Sequence, residues 1–185
     1  MTCYMANTLN LDLAQASKLR HEYWTKYGAT LLGMIKHHNT DPKHFLDHTH
    51  QFDSFKHICI KQSYIASHLK KLKGLKIILT NAPRVYAEKI IRRLGLLPLI
   101  DGLISIEDMV IRGQLRPKPS LWLWPQLQRS LKKKKLILID DTLGHLHSAA
   151  RFGYQVVWVN RPDAHPRPLL RKGKVNLRLK CISQA

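Results

Sequence analysis

The sequence predicts an α/β protein in which a helix-covered parallel sheet follows an N-terminal helical region. Three observations predict it. Between residues 75 and 159, short apolar runs alternate with amphipathic stretches, the β-α rhythm of a parallel sheet. The runs are apolar on successive residues rather than on alternate ones, as in strands buried on both faces. Ahead of them, from Leu11 to about Leu72, apolar residues recur at helical spacing, as in Leu19, Tyr23 and Tyr27 and later Ile58, Ile65 and Leu69. No run of β-branched residues interrupts them.

Taken in order, Asp41-Pro42 reads as an N-cap and first-turn proline, opening a helix that carries Phe45 and Leu46. A strand over Leu75–Thr80 leads to a helix near Pro83–Leu94, and a strand over Gly102–Ile106 to a helix near Pro119–Leu131. A strand over Leu136–Asp140 then precedes a helix near Leu143–Phe152 and a last strand over Gln155–Val159. Trp122 and Trp124 fall on a predicted helix, where packing is expected of them rather than base stacking. Beyond Asn160, Pro162, Pro166 and Pro168 predict an irregular surface tail. The organisation is therefore a helical region over 1–72, an α/β core over 73–160 and a basic tail over 161–185.

The 185 residues are 44% hydrophobic, enough for a real core. No apolar run approaches the ~20 residues of a membrane span, and the N-terminus has no secretory pattern, so a soluble, cytoplasmic protein without a membrane partner is expected. Cys3, Cys59 and Cys181 form no CxxC pair, which suggests neither a zinc site nor a disulfide framework. Lys and Arg number 31 against 12 Asp and Glu, a net charge of +19. Runs such as Lys132 to Lys135 read as solvated faces; the same field would attract a small phosphorylated ligand or nucleic acid. No RNP-like aromatic pattern or helix-turn-helix signature accompanies it.

In a parallel α/β sheet, ligands bind beyond the carboxyl ends of the strands. Thr80 and Asn81 end one strand just before Pro83, where a phosphate could meet helix-terminal N–H groups; either residue could instead simply cap the helix. Lys118 stands between Pro117 and Pro119, which restrict its backbone and could hold its ammonium for neutralising phosphate, unless it is an ordinary turn lysine. Asp140 and Asp141 end another strand. Adjacent carboxylates there call for a cation or strong donors, and oxygen ligands of this kind suit Mg²⁺; helix capping by Asp141 is the alternative.

Together, strand-Thr80, Lys118 and strand-Asp140-Asp141 resemble the second, third and fourth motifs of the haloacid-dehalogenase-like (HAD-like) hydrolase superfamily. The segment Leu9–His50 resembles the cap of its pyrimidine 5′-nucleotidase-like branch. The resemblance, which runs from Leu9 to about Val159, implies a Rossmann-like HAD-type core with an N-terminal helical cap. It implies Mg²⁺-dependent phosphomonoester hydrolysis, with a small phosphorylated substrate such as a nucleotide. In that pattern Thr80 and Asn81 hold the phosphoryl group, Lys118 stabilises charge, and Asp140 and Asp141 hold Mg²⁺.

The pattern's first motif, a strand ending in Asp-x-Asp whose first aspartate is the nucleophile, has no counterpart: no Asp-x-Asp occurs in the 185 residues. Asp12, nearest the N-terminus, lies in the cap-like segment. The first core strand is thus missing, and the expectation is an N-terminally truncated, inactive form of an enzyme that starts at an internal methionine. A degenerate pseudoenzyme, acting as a basic RNA- or partner-binding protein whose two orphan strands pair directly, stands beside it. His37, His38, His44, His48 and His50 cluster in the cap and read as surface or substrate-facing groups; His44 and His48 have the i,i+4 spacing of one helical face. His145 stands where that branch would place asparagine.

Overall fold

The computed structural model describes residues 1–51, 62–132, 135–159 and 177–179. The expected helix residue Ile58, Lys133 and Lys134 of the lysine run, and most of the basic tail lie outside them. In chain order the helices are α1 (Thr2–Leu9), α2 (Leu13–Tyr27), α3 (Thr30–His38), α4 (Pro42–Thr49) and α5 (Gln62–Lys71). There follow β1 (Ile77–Leu79), α6 (Arg84–Arg93), β2 (Gly102–Ile104), β3 (Val110–Ile111), β4 (Gln114–Leu115), α7 (Leu123–Leu131), β5 (Ile137–Asp140), α8 (Leu143–Ala150), β6 (Gln155–Val159) and β7 (Leu177–Leu179). The chain forms two compact units, one of residues 1–60 with 75–118, the other of 61–74 with 119–185. Among the described residues no helix is long and apolar enough to cross a membrane.

In the first unit the helical region has its own local signals. Asp12 N-caps α2 in a reciprocal box, accepting from the Gln15 amide at 2.7 Å while the Gln15 side chain accepts from the Asp12 amide at 3.1 Å. Its carboxylate therefore has a structural task. Asp41 caps α4 through the His44 amide at 2.6 Å, with Pro42 in the first turn, as the sequence predicts. The helices enclose Met5, Ala16, Tyr23, Leu31, Met34 and Phe45, and Ile106 from the following segment joins them. Each large side chain so buried stabilises by roughly 1.5–3 kcal/mol. Gly33 permits the close approach of α2 and α3, since a Cβ there would lie 2.2 Å from Tyr23 Cγ.

His50, just past α4, packs edge-on against Tyr86 of α6 with ring centroids 5.3 Å apart. Burial lowers its pKa below the ordinary 6.5, outweighing the opposing bond to the Leu46 carbonyl. A depressed folded-state pKa stabilises the fold above the unfolded value, and that contribution is lost as pH falls through the folded value. The melting temperature of the wild type is accordingly expected to drop more steeply below pH 6.5 than that of His50→Gln; parallel curves would remove His50 from the account.

The parallel strands fall in two sheets. β1 pairs in parallel with β2, Ile78 opposite Leu103, while β5, β6 and β7 form a separate parallel sheet in that order. Burial on both faces fails at β5: Leu138 is 8% exposed but Ile137 and Ile139 are 60% and 37% exposed, a one-sided pattern. The tail is not wholly irregular, because Leu177–Leu179 pairs in parallel with β6. A further element absent from the sequence reading is the tight hairpin β3–β4. Arg112 and Gly113 turn it with φ of 52° and 71°, the paired positive values of a two-residue turn that follows strand twist.

Candidate functional site

In the first unit, three of the expected residues converge at the end of β1. Thr80 continues the parallel pairing, its amide donating to the Ile104 carbonyl at 2.9 Å. Its hydroxyl accepts from the Ala82 amide at 3.1 Å, which folds the chain into a short turn before α6. Neither Thr80 nor Asn81 caps that helix: the N-cap is Pro83, and the Arg84 amide donates to both Glu107 carboxylate oxygens at 3.0 and 3.1 Å. The positive end of α6 thus already holds a carboxylate.

Lys118 is no ordinary turn lysine. It is 7% exposed, and its ammonium donates to the Leu79 carbonyl, at the last residue of β1, at 2.9 Å. Asn81 grips its backbone twice: the side-chain NH₂ donates to the Lys118 carbonyl at 2.8 Å, and the side-chain oxygen accepts from the Lys118 amide at 3.0 Å. An amide is suited to this, carrying a donor and an acceptor side by side. Asn81, expected to contact phosphate, spends its side chain on positioning Lys118. Pro117 is fully buried beside it, whereas Pro119 opens no helix, α7 beginning only at Leu123.

Below this point, Arg84 and the turn after β2 form a polar brace. Asp108 accepts from the Ser105 amide at 2.7 Å and hydroxyl at 2.8 Å, and pairs with the Arg84 guanidinium. Burial pushes the Asp108 pKa up, but these bonds and the Arg84 charge together overcome it and hold the carboxyl below its ordinary value.

In the second unit, β5 ends in Asp140 and Asp141. The Asp140 side chain is 7% exposed; its Oδ1 accepts from the Thr142 amide at 2.8 Å, and both its oxygens lie 3.1 Å from His145 Nδ1. Asp141 is exposed, and its carbonyl accepts from the Trp158 indole at 3.2 Å. It does not cap α8, whose N-cap is Thr142 without a side-chain cap bond. The His145 contact escapes sequence reading, since a histidine five residues past an aspartate has no fixed geometry until the strand-to-helix turn forms. On α8 its ring reaches back to Asp140, and its carbonyl accepts from the Ser148 hydroxyl at 2.9 Å.

Two carboxylates, one buried and one exposed, fit Mg²⁺, which takes one or two carboxylates and completes its shell with water and substrate oxygens. Among the described residues no group of three or more His, Cys, Asp or Glu could hold a metal ion. His145 would orient Asp140 from behind, as outer partners orient metal ligands.

No protein-family profile matches the chain. A curated (S)-2-haloacid dehalogenase from Pseudomonas fluorescens is 25% identical over 137 residues, which cover 68% of this chain. The match spans 59% of that relative's length, less than two thirds. Among solved structures, an L-2-haloacid dehalogenase superposes with a TM-score of 0.57 at 12% identity, over 99% of this chain and 88% of that one. A HAD phosphatase from Thermococcus onnurineus superposes with a TM-score of 0.52 at 15% identity, over 99% of this chain and 83% of that one. The fold shared with these proteins is the HAD-like α/β fold with an N-terminal helical region.

Proposed function

We propose, from the premise of that HAD-like fold, that the chain carries the phosphate- and cation-handling groups of a Mg²⁺-dependent phosphomonoester hydrolase. The observation that carries this reading is the Asp140-Asp141 pair at the end of β5, one carboxylate buried and braced by His145. Adjacent carboxylates favour a divalent cation. A phosphomonoester carries more negative charge than a 2-haloacid and gains more from a divalent cation held by the pair, so phosphate chemistry is preferred to dehalogenation.

In this reading Lys118 neutralises charge on the phosphoryl group and its attacking carboxylate, and Asn81 fixes where that ammonium stands. Thr80 donates its hydroxyl proton to a phosphoryl oxygen while still accepting from the Ala82 amide. Asp140 and Asp141 would hold Mg²⁺, which would supply further charge neutralisation. Phosphoryl transfer is mainly positioning and charge stabilisation, and these are the groups that provide both. A pyrimidine nucleoside monophosphate is the finer substrate assignment, supported by the cap resemblance alone.

The nucleophilic Asp-x-Asp is not among the 185 residues, so the chain alone is expected to release no phosphate from p-nitrophenyl phosphate or cytidine monophosphate. A fusion supplying a strand that ends in Asp-x-Asp ahead of Met1 is expected to gain Mg²⁺-dependent phosphate release. Turnover by the 185-residue chain would refute the account of the nucleophile. Halide release from 2-chloropropionate by the fusion, without phosphate release, would replace the reading with dehalogenation. Salt-sensitive RNA binding with no turnover in either form would favour a basic binding protein.

A further inference from the structure

On α4, His44 and His48 stand one turn apart with ring centroids 4.0 Å from each other. Their Nδ1 atoms are both engaged. His48 Nδ1 lies 2.8 Å from the His44 carbonyl oxygen, which only accepts, so that nitrogen carries the proton. A neutral His48 ring then has its lone pair on Nε2. His44 Nδ1 lies 2.9 Å from the Tyr4 hydroxyl, which can accept a hydrogen bond from Nδ1–H, the tautomer that leaves the His44 lone pair on Nε2 as well. Among the described residues neither Nε2 has a hydrogen-bond partner.

The pair is also held in place from the side. Tyr4 on α1 contacts both imidazoles, at centroid distances of 5.6 and 6.2 Å, and packs edge-on against Phe45 at 5.1 Å. Phe45 is 1% exposed, so Tyr4 is anchored to the helical core while both histidines face solvent. Two imidazoles one turn apart on one helical face, each engaged at Nδ1, leave two neighbouring Nε2 atoms as donors to one ion. Imidazole nitrogens suit Ni²⁺, Cu²⁺ and Zn²⁺, whereas Mg²⁺ wants oxygen.

We propose that His44 and His48 bind a divalent transition-metal ion through their Nε2 atoms. Tyr4 and the His44 carbonyl are the outer partners, and water or an exogenous anion fills the remaining coordination positions. The site does not depend on the hydrolase reading, because no residue of it belongs to the groups assigned above.

The test is Ni²⁺ titration of the full chain by calorimetry, with far-UV circular dichroism confirming that each variant keeps its helices. The wild type is expected to bind one Ni²⁺ that both His44→Ala and His48→Ala abolish, while the double variant of His37→Ala and His38→Ala retains it. Tyr4→Phe removes the outer partner of His44 and is expected to weaken binding by about 10–100-fold. Ni²⁺ affinity unchanged in either His44→Ala or His48→Ala would overturn the chelate, as would loss in the His37/His38 variant. A thermal shift with Ni²⁺ should follow the same order of variants, since a ligand bound to the folded chain raises its melting temperature.

Discussion

Trp124→Ala is expected to destabilise the second unit by about 3–5 kcal/mol, the cost of deleting a buried tryptophan. Trp124 is fully buried and occupies the core side of α7. Its indole N–H donates to the Ser148 hydroxyl on α8 at 2.9 Å, and its ring meets Tyr154 edge-on at 5.5 Å. Its carbonyl accepts from the Tyr154 hydroxyl at 2.9 Å, and burial pushes the pKa of that phenol up to about 12. Truncation therefore opens a cavity and strips the Ser148 hydroxyl of its donor at once. Trp124→Phe refills much of the volume but still loses the indole N–H, and about 1–3 kcal/mol is expected from that alone. Urea titrations followed by far-UV circular dichroism would measure both. A loss below about 1 kcal/mol for the alanine variant would mean that the α7–α8 packing is not what holds this unit.

The second large effect is expected at Asp140. With Mn²⁺ standing in for Mg²⁺, Asp140→Asn should weaken binding by at least about 100-fold, since loss of an outer partner alone costs about 10–100-fold. Asparagine can still accept from the Thr142 amide, so the turn into α8 should survive. What changes is the other carboxylate oxygen, which becomes an NH₂ donor unable to ligate a cation. Asp141→Asn is expected to weaken binding less, because that side chain is exposed and its backbone carbonyl makes the structural bond, to Trp158. Electron paramagnetic resonance of Mn²⁺ would read all three proteins. Equal affinity in the wild type and Asp140→Asn would remove the cation from this strand end.

Much of this fold is legible in the sequence where a local signal is strong. Residues 156–159 are continuously apolar and lie in the strand Gln155–Val159, and Asp41-Pro42 caps α4 as its pattern dictates. Strand ends carrying Thr80 and Asp140 follow from apolar runs that stop at a polar residue. Signals that depend on distant partners are not legible. Nothing about Asn81 in isolation reveals that its amide will meet the backbone of a residue 37 positions later. Arg112-Gly113 is a hairpin turn whose flanking strands of two residues are too short to carry a period.

Asn81 closing on Lys118 has a consequence for how the protein folds. Both bonds require residues 37 positions apart to meet, and such a closure must be completed before the contact returns any stabilisation. Until then the lysine is one flexible cation among 31 basic residues, with nothing to distinguish it. The positioned ammonium is thus a property of the finished unit and not of any collapsed precursor. Any anion that bound the positioned ammonium would therefore favour the closed chain over partly folded ones.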